Sequence, residues 1–135
     1  MARFHNAGYK GLYNGETADD IFKRKKLRYR EDILDNMGSE ELADNIFRIA
    51  QTDAKLKRDN VDNEYTANSV HYDVGKEVRD SIRRLGGTMP ENLPTPDKSL
   101  KELERETKSQ LTNNNLWYNK YRSWLLWNYT YHPIN

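Results

Sequence analysis

Between Ala67 and Leu85 the apolar residues Ala67, Val70, Val74, Val78, Ile82 and Leu85 recur every three or four positions. This is the strongest constraint the chain places on its own fold. The spacing puts one continuous stripe on a single helical face, with Tyr65 and Ser81 on or beside it. About twenty residues at ~1.5 Å per residue span roughly 30 Å, the width of a small domain. Gly86 stops the helix as a left-handed residue just past its end. With 36% hydrophobic and 32% charged residues in 135, the core must be economical and the surface heavily solvated.

The rest of the chain reads as further helices. Thr17 and Asp20 fit a capping box, and Ala18, Ile21 and Phe22 supply the inward side of a helix running to about Lys26. A short helix is expected over Glu31–Met37, with acidic residues in its first turn and Gly38 as its stop. Ser39 reads as the N-cap of a longer helix to Arg58, in which Glu40 and Glu41 suit the positive end of the dipole. Its expected buried stripe is Leu42, Ile46, Ile49 and Ala50, widened by Ala43 and Phe47. The first fifteen residues, with three glycines, are expected to form an irregular arm that tucks the rings of Phe4, Tyr9 and Tyr13 against the helices.

The stretch GGTMPENLPTP, residues 86–96, holds three of the four prolines. It reads as a fixed connector: Met89 and Leu93 can lie back on the core, Thr95 caps the next helix and Pro96 takes its first position. That next helix, PDKSLKELERETKSQL, is expected to be mostly solvent-facing. The fold class is all-α: a compact bundle of about five helices with an irregular N-terminal arm and an aromatic-rich C-terminal helix or tail. The expected division is a helical domain over 1–111 and an extension over 112–135.

No residue pattern marks an active site. His5, His71 and His132 lack paired ligand spacing, there is no cysteine, and no nucleophile–base pair or phosphate-binding glycine loop is present. Neither a catalytic residue, a metal nor a cofactor is expected. Pro96-Asp97 with Glu106-Thr107-Lys108 has a nuclease-like outline. On one helix, however, Asp97 and Glu106 stand about 13 Å apart along the axis, too far to share an ion. No apolar run approaches a membrane span or a signal peptide, and the chain reads as cytoplasmic.

Two surfaces remain as candidates. Lys23, Arg24, Lys25, Lys26, Arg28 and Arg30 place six cations in eight residues. Lys55, Lys57 and Arg58 end the third helix, and Lys76, Arg79, Arg83 and Arg84 line the fourth. Together these form the candidate contact surface for phosphate backbones or a partner, against a net charge of only +1. The second candidate is the tail, where Trp117, Tyr121, Trp124 and Trp127 suit self-association.

Several long strings resemble the carboxy-terminal region of the DinD (DNA-damage-inducible protein D) family. They are GYKGLYNGETADDI, MGSEELADNIFR and GGTMPENLPTP, and the resemblance runs in order over residues 3 to 105. It implies a non-enzymatic role in the DNA-damage (SOS) response, through DNA or a DNA-bound recombination protein, with no catalytic motif to carry over. The usual amino-terminal BRO-like domain of the family is not among these residues. The chain therefore resembles a fragment, a split gene product or a minimal prophage version. Self-association through the aromatic tail, without nucleic acid, is the alternative.

Overall fold

The structure is a computed structural model that describes residues 2–28 and 31–112. Those residues form five α-helices: α1 (Ala2–Leu12), α2 (Ala18–Arg24), α3 (Ser39–Arg58), α4 (Glu64–Arg84) and α5 (Leu100–Thr112). Two 3₁₀ turns, Leu34–Asn36 and Pro90–Asn92, interrupt the connections. The described residues contain no strand, as an all-α fold requires. They divide into a unit spanning Met1–Asp97 and a second beginning at Lys98. The tail residues 113–135, with the four aromatic positions singled out above, lie outside the described residues.

The expected irregular arm is instead a helix. Glycines at 8 and 11 oppose helix formation by roughly 1 kcal/mol each relative to alanine, so α1 owes its existence to packing rather than propensity. It lies along α4, where Gly75 lets the two backbones meet. A methyl group on Gly75 would stand 2.7 Å from the carbonyl oxygen of Gly8 and 3.0 Å from the amide of Leu12. Gly11 is similarly closed off by the backbone of Tyr72. Tyr9, Leu12 and Tyr13 are buried with Ile21, Met37 and Val78, and Ala18, Ile33, Leu34, Leu42, Val74 and Ile82 pack around them.

The capping box at Thr17 and Asp20 forms as expected and starts α2. The Glu31–Met37 segment does not make an α-helix. The Asp32 carboxylate accepts from the Leu34 amide at 2.9 Å, and the Asn36 side-chain amide donates to the Asp32 carbonyl at 2.8 Å. These local bonds compete with the helical ladder and leave a single 3₁₀ turn. Gly38, not Ser39, is the N-cap of α3 and offers no side-chain bond.

The largest departure concerns α3. Of the stripe expected to be buried, Leu42 packs against the core but the rest faces outward: Ile46 is 55% exposed, Phe47 54% and Ile49 41%. The buried face is Glu41, Asn45, Arg48 and Thr52. On α4 the apolar stripe does turn inward through Val70 and Val78, but its last member, Leu85, is 86% exposed. Gly86, at φ +75°, ends the helix in the left-handed region as its position requires.

The Pro-rich connector belongs to the first unit. Pro90 and Leu93 are buried. The Arg79 guanidinium grips Glu91 through two bonds of 2.7 and 2.8 Å and donates at 3.1 Å to the Leu12 carbonyl. The cap of α5 is not Thr95 but Ser99, whose hydroxyl accepts from the Glu102 amide at 3.2 Å. Residues 101–108 of α5 are exposed, as its composition suggests.

Exchanging a helical glycine for alanine ordinarily gains up to about 1 kcal/mol. At Gly75 the sign reverses, because the methyl meets backbone that cannot rotate away. Gly75→Ala is expected to lower stability by about 1–3 kcal/mol, as overpacking does, read from the urea midpoint of unfolding.

Candidate functional site

The inverted α3 is explained by what its polar face touches. Lys25, just past the end of α2, sends its ammonium group 2.7 Å from the Glu41 carboxylate and 3.2 Å from the Thr95 hydroxyl. Both side chains of the ion pair are at most 1% exposed. The other Glu41 oxygen accepts a short bond from the Tyr13 hydroxyl. That hydroxyl in turn accepts from the Asn45 side-chain amide at 2.9 Å, and Asn45 Oδ1 accepts from Arg48 at 2.9 Å.

Arg48 continues the chain to His71 Nε2 at 2.5 Å, and His71 Nδ1 donates to the Phe4 carbonyl at 2.8 Å. An arginine can only donate, so His71 carries its proton on Nδ1 and is neutral. Burial, then the Arg48 charge, holds the His71 pKa down to about 4. Burial, then the Glu41 charge, pushes the Tyr13 phenol well above its ordinary value. Burial lowers Arg48, whose guanidinium lies 4.8 Å over the Tyr9 ring. This chain of bonds ties α1, α2, α3, α4 and the Pro-rich connector together.

Above it lies a groove of about 880 Å³. Phe4 and Tyr9 of α1 and Phe22 of α2 form one wall, and Ile46, Ile49 and Ala50 of α3 form the other. Ile33 and Leu34 line it from the 3₁₀ segment, His71 and Arg48 lie at its base, and Glu31, Asp32 and Asp53 add carboxylates. The groove is thus largely apolar, with a buried polar base and acidic residues on its lining.

The predicted basic surface is only partly realised. Lys25 is not a contact residue: it is buried in the ion pair with Glu41. Lys23 pairs with Asp19, Arg24 with Glu16, Lys55 with Asp59, Lys57 with Asp53 and Arg83 with Asp80. Arg24 also lies 5.8 Å over the Tyr13 ring, and Arg84 donates to the Ser81 hydroxyl at 3.1 Å. Lys26, Arg28 and Arg58 are exposed and form no ion pair among the described residues. Arg30 and the candidate self-association residues Trp117, Tyr121, Trp124 and Trp127 lie outside the described residues. Also among the described residues, no group of three acidic or histidine side chains could hold a metal ion, and no helix is long and apolar enough to cross a membrane.

The sequence profile of the DinD C-terminal domain matches residues 1–103. The chain belongs to the DinD C-terminal domain family. DNA damage-inducible protein D of Escherichia coli (strain K12) is 54% identical over 108 residues, which cover 80% of this chain but 39% of that relative. The chain therefore spans well under half the length of this DinD protein. No solved structure is significantly similar.

Breaking a buried ion pair by removing one partner costs about 3–5 kcal/mol. Lys25→Met is expected to lose stability on that scale, whereas Lys26→Met, one residue away and exposed, stays within about 0.5 kcal/mol. Urea unfolding of the two variants checks this.

The pH dependence has two opposed parts. The His71 pKa of about 4 lies below its unfolded value of 6.5, so its contribution is fully present above pH 6.5 and is lost as the pH falls toward 4. Asp44 acts in the other direction: burial, then Glu40 and Glu41, raises it from 3.8 to about 6, which adds stability as the pH falls through that window. Wild type is therefore expected to lose more stability than His71→Gln between pH 6.5 and 4, and less than Asp44→Asn. Urea midpoints across that range measure both differences.

Proposed function

We propose that this chain is a non-enzymatic binding module of the DNA-damage (SOS) response that modulates a protein–DNA assembly by docking on its protein component. A recombination protein coated on single-stranded DNA is such an assembly, and it sets the chain in the cytoplasm. Family membership supplies the setting. The observation that carries the docking mode is the outward apolar face of α3, with Ile46 and Phe47 each more than half exposed beside an apolar groove. Large exposed apolar side chains grouped on one helix mark interaction surfaces more often than scattered ones do. Most of the expected cations, by contrast, are already paired with carboxylates, which gives a surface of mixed sign.

A second reading is direct contact with DNA phosphates, favoured by Lys26 and Arg28, which are exposed and without an acidic partner among the described residues. The two readings separate by salt dependence, because phosphate contacts release counterions and steepen the fall of affinity with salt.

The test measures binding of the chain to labelled single-stranded DNA, bare and coated with a recombination protein. Docking on protein predicts preference for the coated form. It also predicts a loss of at least about tenfold, ~1.4 kcal/mol, in the Ile46→Asp/Ile49→Asp double variant. Lys26→Glu/Arg28→Glu should then change little. Binding to bare DNA that falls steeply with salt and is lost in the charge-reversed variant overturns the docking reading. Since the α3 positions are exposed, circular dichroism and urea unfolding confirm that the variants fold.

A further inference from the structure

We infer that the α3 groove receives an amphipathic segment of a partner protein whose apolar anchors are flanked by lysine or arginine. This rests on the docking reading above and specifies its partner. The shape and chemistry of the site carry it. A groove of about 880 Å³ is lined by Phe4, Phe22, Ile46 and Ile49 among others, a volume within the roughly 300–1,000 Å³ range of binding pockets. Helical partners present such anchors at spacings of three, four and seven residues.

The charges on the lining decide the flanking chemistry. Glu31, Asp32 and Asp53 all line the groove. Glu31 and Asp32 form no ion pair among the described residues. Each uses one carboxylate oxygen to accept a backbone amide: Glu31 from Arg28 at 2.9 Å, Asp32 from Leu34 at 2.9 Å. Their charge is thus held in place yet not neutralised. Asp53 pairs with Lys57 at 2.9 Å, but that side chain is 63% exposed, so the pair is a weak one that a partner's cation can compete with.

Among the described residues of the lining, the arginine, Arg48, does not reverse this. It is 2% exposed and spent on His71, Asn45 and the Tyr9 ring. An incoming segment therefore meets the exposed carboxylates of Asp32 and Asp53 and the half-buried one of Glu31, whereas Arg48 is buried. Charge at an interface rim acts chiefly through specificity and association rate, so the apolar anchors supply affinity while the basic flanks select the partner.

The experiment uses the whole chain and synthetic helical peptides with identical apolar anchors, flanked either by lysine and arginine or by glutamate, with binding read by fluorescence anisotropy. The basic-flanked peptide is expected to bind at least about tenfold tighter, with a preference that shrinks as salt rises. Glu31→Gln with Asp32→Asn removes both charges while leaving oxygens for the Arg28 and Leu34 amides, and should erase most of the preference. Asp53→Lys, on an exposed helix position, is a second variant that does not depend on that turn. Equal binding, or preference for the acidic-flanked peptide, overturns the inference while leaving the docking reading standing. So does absence of peptide binding when Ile46→Asp still abolishes engagement of coated DNA. If Ile46→Asp also has no effect there, the docking reading falls with it.

Discussion

The Lys25–Glu41 ion pair is the constraint on which the first unit is arranged. Two charges removed from water need each other and need their remaining hydrogen-bonding capacity filled, or the fold does not tolerate them. Meeting that need recruits Tyr13 from α1, Thr95 from the connector and Asn45 from the next turn of α3. Through Asn45 it extends to Arg48 and His71. Each helix of this unit is thereby fixed in rotation and register, since a polar group displaced by one position would be buried without a partner. An apolar core of similar volume could be as stable but would leave more freedom in how the helices face one another.

That freedom matters most for α3. Once Glu41, Asn45, Arg48 and Thr52 are claimed by the interior, Ile46, Phe47 and Ile49 have no side left but the outer one. The exposed apolar face is therefore a consequence of the buried polar face. The proposed docking surface and the stability of the unit rest on one rotational setting of one helix, so that a substitution in the buried chain can disturb the groove without touching it.

The sequence made helix class, the long α4, the capping box and the fixed connector legible, because each depends on local signals: periodicity, a Thr–Asp pair three apart, and glycine with proline. It misled where two patterns competed on the same segment. The apolar spacing of Leu42, Ile46 and Ile49 concealed a polar stripe at 41, 45, 48 and 52 with equally good helical spacing, and nothing local says which stripe turns inward. Glu41 also had a sufficient local explanation at the positive end of a helix dipole, and Lys25 one within a basic run. Their pairing is a contact between residues 16 apart, settled by tertiary geometry. For α1, glycines that read as irregularity are what permit the helix, once Gly75 is opposite.

The close approach of α1 and α4 also bears on the order in which the chain can fold during synthesis. The Leu12 carbonyl and Arg79, and the Phe4 carbonyl and His71, are 67 residues apart in sequence. At roughly 5–20 residues per second, translation separates their emergence by about 3–13 s. For that interval α1, an eleven-residue segment with two glycines, lacks α4, the helix it lies along, and is too short and too weak in propensity to hold a helix alone. The segment thus emerges as a strap without a buckle, and the N-terminal end of the unit closes only after most of α4 is available to receive it.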